Sequence, residues 1–376
     1  MKVIVAIDKF KGCASSQQLS DAIEEALKQI KHDAKVVKVP VADGGDGTMR
    51  VIRGIKGDSC QNMQVSVPAC IGGLPPVDAQ YFIDTTTMTA FMDLATATGL
   101  ALVPPPVRNV MQASTFGTGV MMMHAIGHGA RSIVLGLGGS ATCDGAMGIL
   151  AALGCQFLDR AGNTLEPCAQ ALNRIHSIST VGLAQNVKQT HITALVDVDN
   201  PLLGNRGAAA TFAPQKGASP SQVKLLEQAL THWSKFMPPT VASQPGAGAA
   251  GGAAAGLAAM LHAKLTSGID YILGLNHFDE IIGDAQLIIT GEGRIDKQTM
   301  HGKAPAGVLR AAKRCNIPVV ALCGSVDPEL NLRSYGFERV IEVTPHGMPL
   351  QEALNTTTAL CNVKNAIAKL PSHLFH

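Results

Sequence analysis

A chain of 376 residues, 46% of them hydrophobic, carries apolar material for one large core or two smaller ones, and two domains are expected. Thirty Lys and Arg against 28 Asp and Glu leave a formal charge of only +2, which excludes a sequence-wide field favouring nucleic acid or a membrane surface. Nine cysteines, an odd number without a C-x-x-C spacing, exclude a fully paired disulfide framework and a zinc ribbon and read as reduced, buried thiols.

The opening "MKVIVAIDKFKG" meets an aspartate after five apolar residues, too few for a signal-peptide core, and no later run approaches a membrane span, so a cytoplasmic protein is expected. "KVIVAID" reads as a strand. Behind a Ser15/Gln18 capping box, Leu19, Ala22, Ile23, Ala26, Leu27 and Ile30 recur at helical spacing. "AKVVKVPVA" reads as a second strand ending in "DGGDGT". "QVSVPA" and "VDAQYFID" are joined by "CIGGLPP", too short for a helix, which predicts an antiparallel pair turning near residue 73. "VPPPVRN" and "MPPTVASQPG" read as loops.

Further on, "RSIVLGLGG" leads to "AMGILAALG", "AQLIITGEG" leads to "APAGVLRAAKR", and the strands "PVVALCG" and "RVIEVTP" follow. The Gly/Ala stretch from 246 to 259, soon followed by His262 and Lys264, predicts a tightly packed helix rather than a membrane segment. Trp233, in the helix-like "QVKLLEQALTHWSKF", reads as a packing residue, and "NTT" at Asn355 matches the glycosylation pattern only by chance. Strands alternating with helices define an α/β protein with largely parallel sheets.

In such sheets ligands bind beyond the carboxyl ends of strands, where loop amides converge. Four polar segments occupy such positions: "DKFKG" (Asp8 to Gly12), "DGGDGT" (Asp43 to Thr48), "GLGGSATCDG" and "GEGRIDKQTMHGK" (Gly291 to Lys303). Glycine admits backbone amides to anionic oxygens, whereas carboxylates repel a phosphate unless a divalent cation lies between them. Glycines mixed with acids therefore point to phosphate with Mg²⁺.

No G-x-x-x-x-G-K-[ST] occurs, which excludes a P-loop NTPase. Gly136, Gly138 and Ala141 do match G-x-G-x-x-A after a strand, with Asp159 after "CQFL" as a ribose ligand, so an NAD(P)-dependent oxidoreductase is the rival reading. It leaves "DGGDGT" and "GEGRIDKQT" unexplained. His124 and His128 share helical i, i+4 spacing, but without the glutamate of a metalloprotease and within "MMMHAIGHG" they read as core. There is no G-x-S-x-G elbow for a serine hydrolase.

Nearly end to end, the chain resembles the bacterial type 1 glycerate kinases, through "DKFKG", "VADGGDGT", "TFGTG", "GLGGSATCDG", "DVDNPLLGNRGAAATFAPQKGAS", "GAGAAGG" and "GEGRIDKQTMHGKAP". The resemblance implies ATP-dependent phosphorylation of D-glycerate, at the 2-hydroxyl to give 2-phosphoglycerate. It also implies two α/β domains, a Rossmann-like parallel three-layer domain from both chain ends (residues 1–60 and 282–376) and an inserted mixed α/β domain (61–281), with the active site in the cleft. Asp46 and Cys143 depart from the usual "DGGEGT" and "SATNDGG", which puts a direct ligand role for Cys143 in doubt.

Phosphoryl transfer to an alcohol requires in-line oxygens, cations on the phosphate and a carboxylate near the attacking hydroxyl. The amides of Gly138, Gly139 and Ser140 are expected to hold phosphate, with Gly44, Gly45, Lys11 and Lys303 completing the ATP site. Asp43, Asp144 and Glu292 are the expected Mg²⁺ ligands. Asp296, Arg294, Asp197 and Lys9 are the expected catalytic residues: Glu292, Arg294 and Asp296 alternate and project to one side if "GEGRID" is extended. A structural Arg294–Asp296 ion pair is the competing explanation. A regulator that binds a sugar acid without catalysis is a third class, predicting ligand stabilisation without turnover. No nucleic-acid or membrane partner is expected.

Overall fold

The computed structural model describes residues 1–45, 47–297, 299–330 and 335–375, so Asp46 lies outside the described residues. The chain divides into two compact units, Met1–Asp43 with Gly268–His376, and Gly44–Ser267.

In the first unit five parallel strands lie in the order Arg339–Glu342, Val319–Val326, Leu287–Ile295, Lys2–Ile7, Lys35–Lys38. Successive strand residues point to opposite faces, and both faces are covered. Val3, Val5, Ile7, Leu287 and Ile289 pack against Leu19, Ile23 and Leu27 of helix Ser16–Ile30 and Val363 and Ile367 of helix Thr356–Ala368. On the other face Ile4, Ala6, Ile288 and Ala321 meet Val308, Ala311 and Ala312 of helix Ala304–Arg314. This is a three-layer α/β sandwich.

The Ser15/Gln18 capping box forms as expected, while Ile30, in the helix's last turn, is exposed. Asn355 caps helix Thr356–Ala368 by accepting the Thr358 N–H at 3.1 Å, which gives the "NTT" sequence a structural reason.

The second unit holds a six-stranded sheet, ordered Lys264–Ser267, His191–Val196, Ser132–Gly136, Thr89–Asp93, Val77–Asp84, Cys60–Val67. The first four are parallel. Val77–Asp84 and Cys60–Val67 form the antiparallel pair expected around residue 73, and Val77–Asp84 also runs antiparallel to Thr89–Asp93. Trp233 is fully buried in this core and donates from Nε1 to Gly145 O at 3.1 Å.

Several expectations need correction. "MPPTVASQPG" contains a short helix, Pro239–Ser243, begun by proline where no amide partner is lost. The Gly/Ala stretch forms helix Ala249–Leu261, but Ala250, Gly251 and Gly252 have positive φ, which breaks its start. Among the described residues no helix is long and apolar enough to cross a membrane. All nine cysteines are free, yet Cys315 and Cys361 are exposed.

Candidate active site

In the first unit, strands Lys2–Ile7 and Leu287–Ile295 run side by side with Ile7 opposite Gly291, and the Asp8 N–H continues the ladder to Gly291 O at 2.9 Å. This register places Asp8 and Glu292 at the carboxyl edge of adjacent central strands. Both side chains are sheltered, with Asp8 7% and Glu292 8% exposed.

Burial pushes Asp8 up to about 7; the charge of Asp43 adds to this, while Lys9, whose N–H donates to Asp8 Oδ1 at 2.7 Å, and Lys303 pull it down. Burial likewise raises Glu292 to about 7, against Lys303 and Thr299, with Asp43 and Asp8 raising it further. Glu292 Oε1 is buried without a hydrogen-bond partner. Lys303 Nζ stands 3.7 Å from both Glu292 Oε2 and Asp296 Oδ1. Asp296 is held in turn by the Thr299 N–H, which donates to Oδ1 at 3.1 Å.

"GEGRI" is extended within strand Leu287–Ile295, as the alternation required, and Asp296 follows directly. Arg294 is exposed and forms no ion pair with Asp296, which faces Lys303 instead. Lys9 is half-buried and Lys11 exposed. Asp8 was missed as a site residue because "DKFKG" drew attention to its lysines; the signal was an acid immediately after an apolar strand.

The second unit carries the glycine loop. It leaves strand Ser132–Gly136, and Gly139 adopts φ +74°, a conformation that favours glycine. A Cβ on Gly138 would stand 2.8 Å from the Gly45 Cα, so "GLGG" and "DGG" approach backbone to backbone. The Gly44 N–H donates to Thr48 Oγ1 at 3.1 Å. One turn, "DGG", thus supplies Asp43 to the first unit and Gly44 and Gly45 to the second.

Asp144 is 0% exposed, and its Oδ2 accepts from the Thr115 N–H (2.8 Å), Thr115 Oγ1 (2.9 Å) and the Gly148 N–H (3.1 Å). Burial still pushes its carboxyl up. Asp144 is thus held among loop bonds of the second unit, while Asp43 and Glu292 belong to the first. Asp197 directly follows strand His191–Val196 and is half-buried; in the same loop Arg206 pairs with Asp199 at 2.7 Å. Lys216 is the residue that sequence reasoning missed here. It is 3% exposed and donates to Ser140 Oγ (2.8 Å) and Thr142 O (2.7 Å).

The dinucleotide reading loses its scaffold. After the loop comes only the six-residue helix Met147–Ala152, and the next strand, Gln156–Leu158, pairs antiparallel with Ser177–Ser179 outside the main sheet. Asp159 is engaged by its own turn: its Oδ1 accepts the Ala161 and Asn163 N–H groups. His124 and His128 are likewise occupied, His124 Nδ1 with Tyr81 Oη at 2.7 Å and His128 Nδ1 with His124 O at 2.8 Å.

Buried carboxyls at the carboxyl edge of a parallel sheet in one unit, and a glycine loop backed by a buried lysine in the other, suit a phosphotransferase whose sequence holds no P-loop motif. The chain matches the glycerate kinase family over residues 3–372. It is 38% identical to the glycerate kinase of Bacillus subtilis (strain 168), covering 94% of this chain and 93% of that one, and 38% identical to the glycerate 2-kinase of Escherichia coli (strain K12) with the same coverage. A crystal structure described as that of a candidate glycerate kinase 2 from Salmonella typhimurium LT2 superposes with a TM-score of 0.81 at 36% identity, covering 100% of this chain and 98% of that chain. The chain belongs to the glycerate kinase family, enzymes that phosphorylate glycerate at the expense of ATP.

Proposed function

We propose that the protein transfers the γ-phosphoryl group of ATP to the 2-hydroxyl of D-glycerate, giving 2-phosphoglycerate and ADP, with Mg²⁺ as the metal. The observation that carries the reading is the pair of buried carboxyls, Asp8 and Glu292, at the carboxyl edge of adjacent parallel strands, with Lys303 against Glu292 and Asp296. Burial and the neighbouring acids raise both carboxyls against the pull of Lys303, and Glu292 Oε1, buried without a hydrogen-bond partner, marks where a cation would be accepted. Among the described residues no three His, Cys, Asp or Glu side chains converge closely enough to hold an ion alone. Mg²⁺ is usually held by one or two carboxylates with phosphate oxygens and waters completing its octahedron. When bound, it would neutralise charge developing on the transferring phosphoryl group.

Asp8 and Glu292 are the carboxylates that would hold it, with the charge of Asp43 acting on both. Asp296, oriented by Thr299 and Lys303, positions the acceptor hydroxyl and takes its proton, while Lys303 and Lys9 face the phosphoryl oxygens with positive charge. The amides of Gly138, Gly139 and Ser140 hold the nucleotide phosphates. The 2-hydroxyl is chosen on the similarity to the glycerate 2-kinase of Escherichia coli.

ADP release tests the assignment of substrates: it should require D-glycerate and Mg²⁺ together, with no change in nicotinamide absorbance when NAD(P)⁺ is supplied instead of ATP. Release of ADP that is independent of D-glycerate contradicts the reading.

A further inference from the structure

Lys216 closes the short turn Pro214–Lys216 in "APQKGAS", and its side chain runs into the protein beneath the glycine loop. Two donors are occupied, by a hydroxyl and a main-chain carbonyl, both neutral. Among the described residues Lys216 forms no ion pair. Asp144 is the carboxylate that acts on it electrostatically, but Asp144 Oδ2 is committed to Thr115 and Gly148, and its Oδ1 has no partner. Burial holds the Lys216 ammonium below the ordinary lysine range.

A buried ammonium with no ion-pair partner is costly, a cost that a bound anion would offset. Both groups that Lys216 grips, Ser140 and Thr142, lie in the loop whose amides are read as the nucleotide-phosphate site. The loop is braced from behind as well. The Gly145 N–H donates to Gly251 O at 3.2 Å, and a Cβ on Gly251 would collide with Thr142 O, so the positive φ values at the start of helix Ala249–Leu261 bring two backbones together there.

We propose that Lys216 is the fixed cation of this anion site: it positions Ser140 and the Thr142 carbonyl so that the loop stays open to phosphate, and the bound phosphate is its counterion. The residue acts through the loop, as a positioning residue. The inference rests on the loop being the nucleotide-phosphate site.

Calorimetric titration of the full chain with ADP tests it, using Lys216→Met, which keeps length and removes charge. A lost charge-assisted interaction corresponds to a weakening of about tenfold or more. The expected result is that loss of ADP affinity, with the KM for D-glycerate unchanged and the melting temperature close to that of the parent. Ser140→Ala, which cuts one tether and keeps the charge, should weaken ADP less, and it remains available if Lys216→Met does not fold. Gly139→Val separates the two claims. If it weakens ADP binding while folded Lys216→Met and Ser140→Ala bind as the parent does, the role of Lys216 is overturned and the loop assignment stands. If none of the three weakens ADP binding, the phosphate site lies elsewhere and both fall.

Discussion

Glu292→Gln isolates the electrostatic cost of the carboxyl cluster, because glutamine has nearly the shape of glutamate and cannot ionise. Glu292 is lifted from 4.5 to about 7, principally by burial. Its folded-state value lies above its unfolded one, so its contribution to stability is fully present below pH 4.5 and is lost as pH rises through about 7. At about 1.4 kcal/mol for each pH unit, the ionised side chain costs the fold about 3 kcal/mol above pH 7. With only 10% of the side chain exposed, solvent screening removes little of this. Chemical denaturation at pH 4 and pH 8 reads the effect. Glu292→Gln should match the parent at the acid end and exceed it by about 2–3 kcal/mol at pH 8, while glycerate phosphorylation collapses. A variant less stable than the parent at pH 8, or a difference independent of pH, refutes the reasoning.

Asp296→Asn should retain ADP binding but lose about 10²-fold or more in turnover, read by steady-state kinetics; a lowered melting temperature with unchanged activity per folded molecule would make Asp296 structural. Lys9→Ala, beside Asp8, should raise the KM for ATP or glycerate more than Lys11→Ala, whose side chain is exposed; equal effects would contradict the placement. Gly145→Ala should cost about 2 kcal/mol in thermal or denaturant unfolding, because its Cβ would stand 2.5 Å from the buried Trp233 ring at φ +58°. A neutral outcome would mean the ring is free to shift.

The strands that carry "DKFKG" and "GEGRID" were legible because an apolar run followed by glycines and acids signals both a strand and its carboxyl end. Helix Ser16–Ile30 was legible from its cap and stripe, and the pair Cys60–Val67 and Val77–Asp84 from a linker too short for a helix. Three sheet strands, Thr89–Asp93, His191–Val196 and Lys264–Ser267, were not read, lacking a distinctive alternation. Asp159 misled because an acid after a strand looks the same whether it binds a ribose or its own turn, and only the antiparallel pairing of Gln156–Leu158 separates the two. Lys216 resembles any loop lysine in sequence. Its burial arises from the distant contact with Ser140 and Thr142, which no local pattern encodes.

Phosphorus NMR of a reaction containing ATP, Mg²⁺ and D-glycerate tests the central claim most directly. The account predicts ADP together with the phosphomonoester resonance of 2-phosphoglycerate in equal amounts, and loss of both on chelating the metal. A resonance of 3-phosphoglycerate contradicts the choice of hydroxyl, and inorganic phosphate as the sole new product contradicts transfer to glycerate.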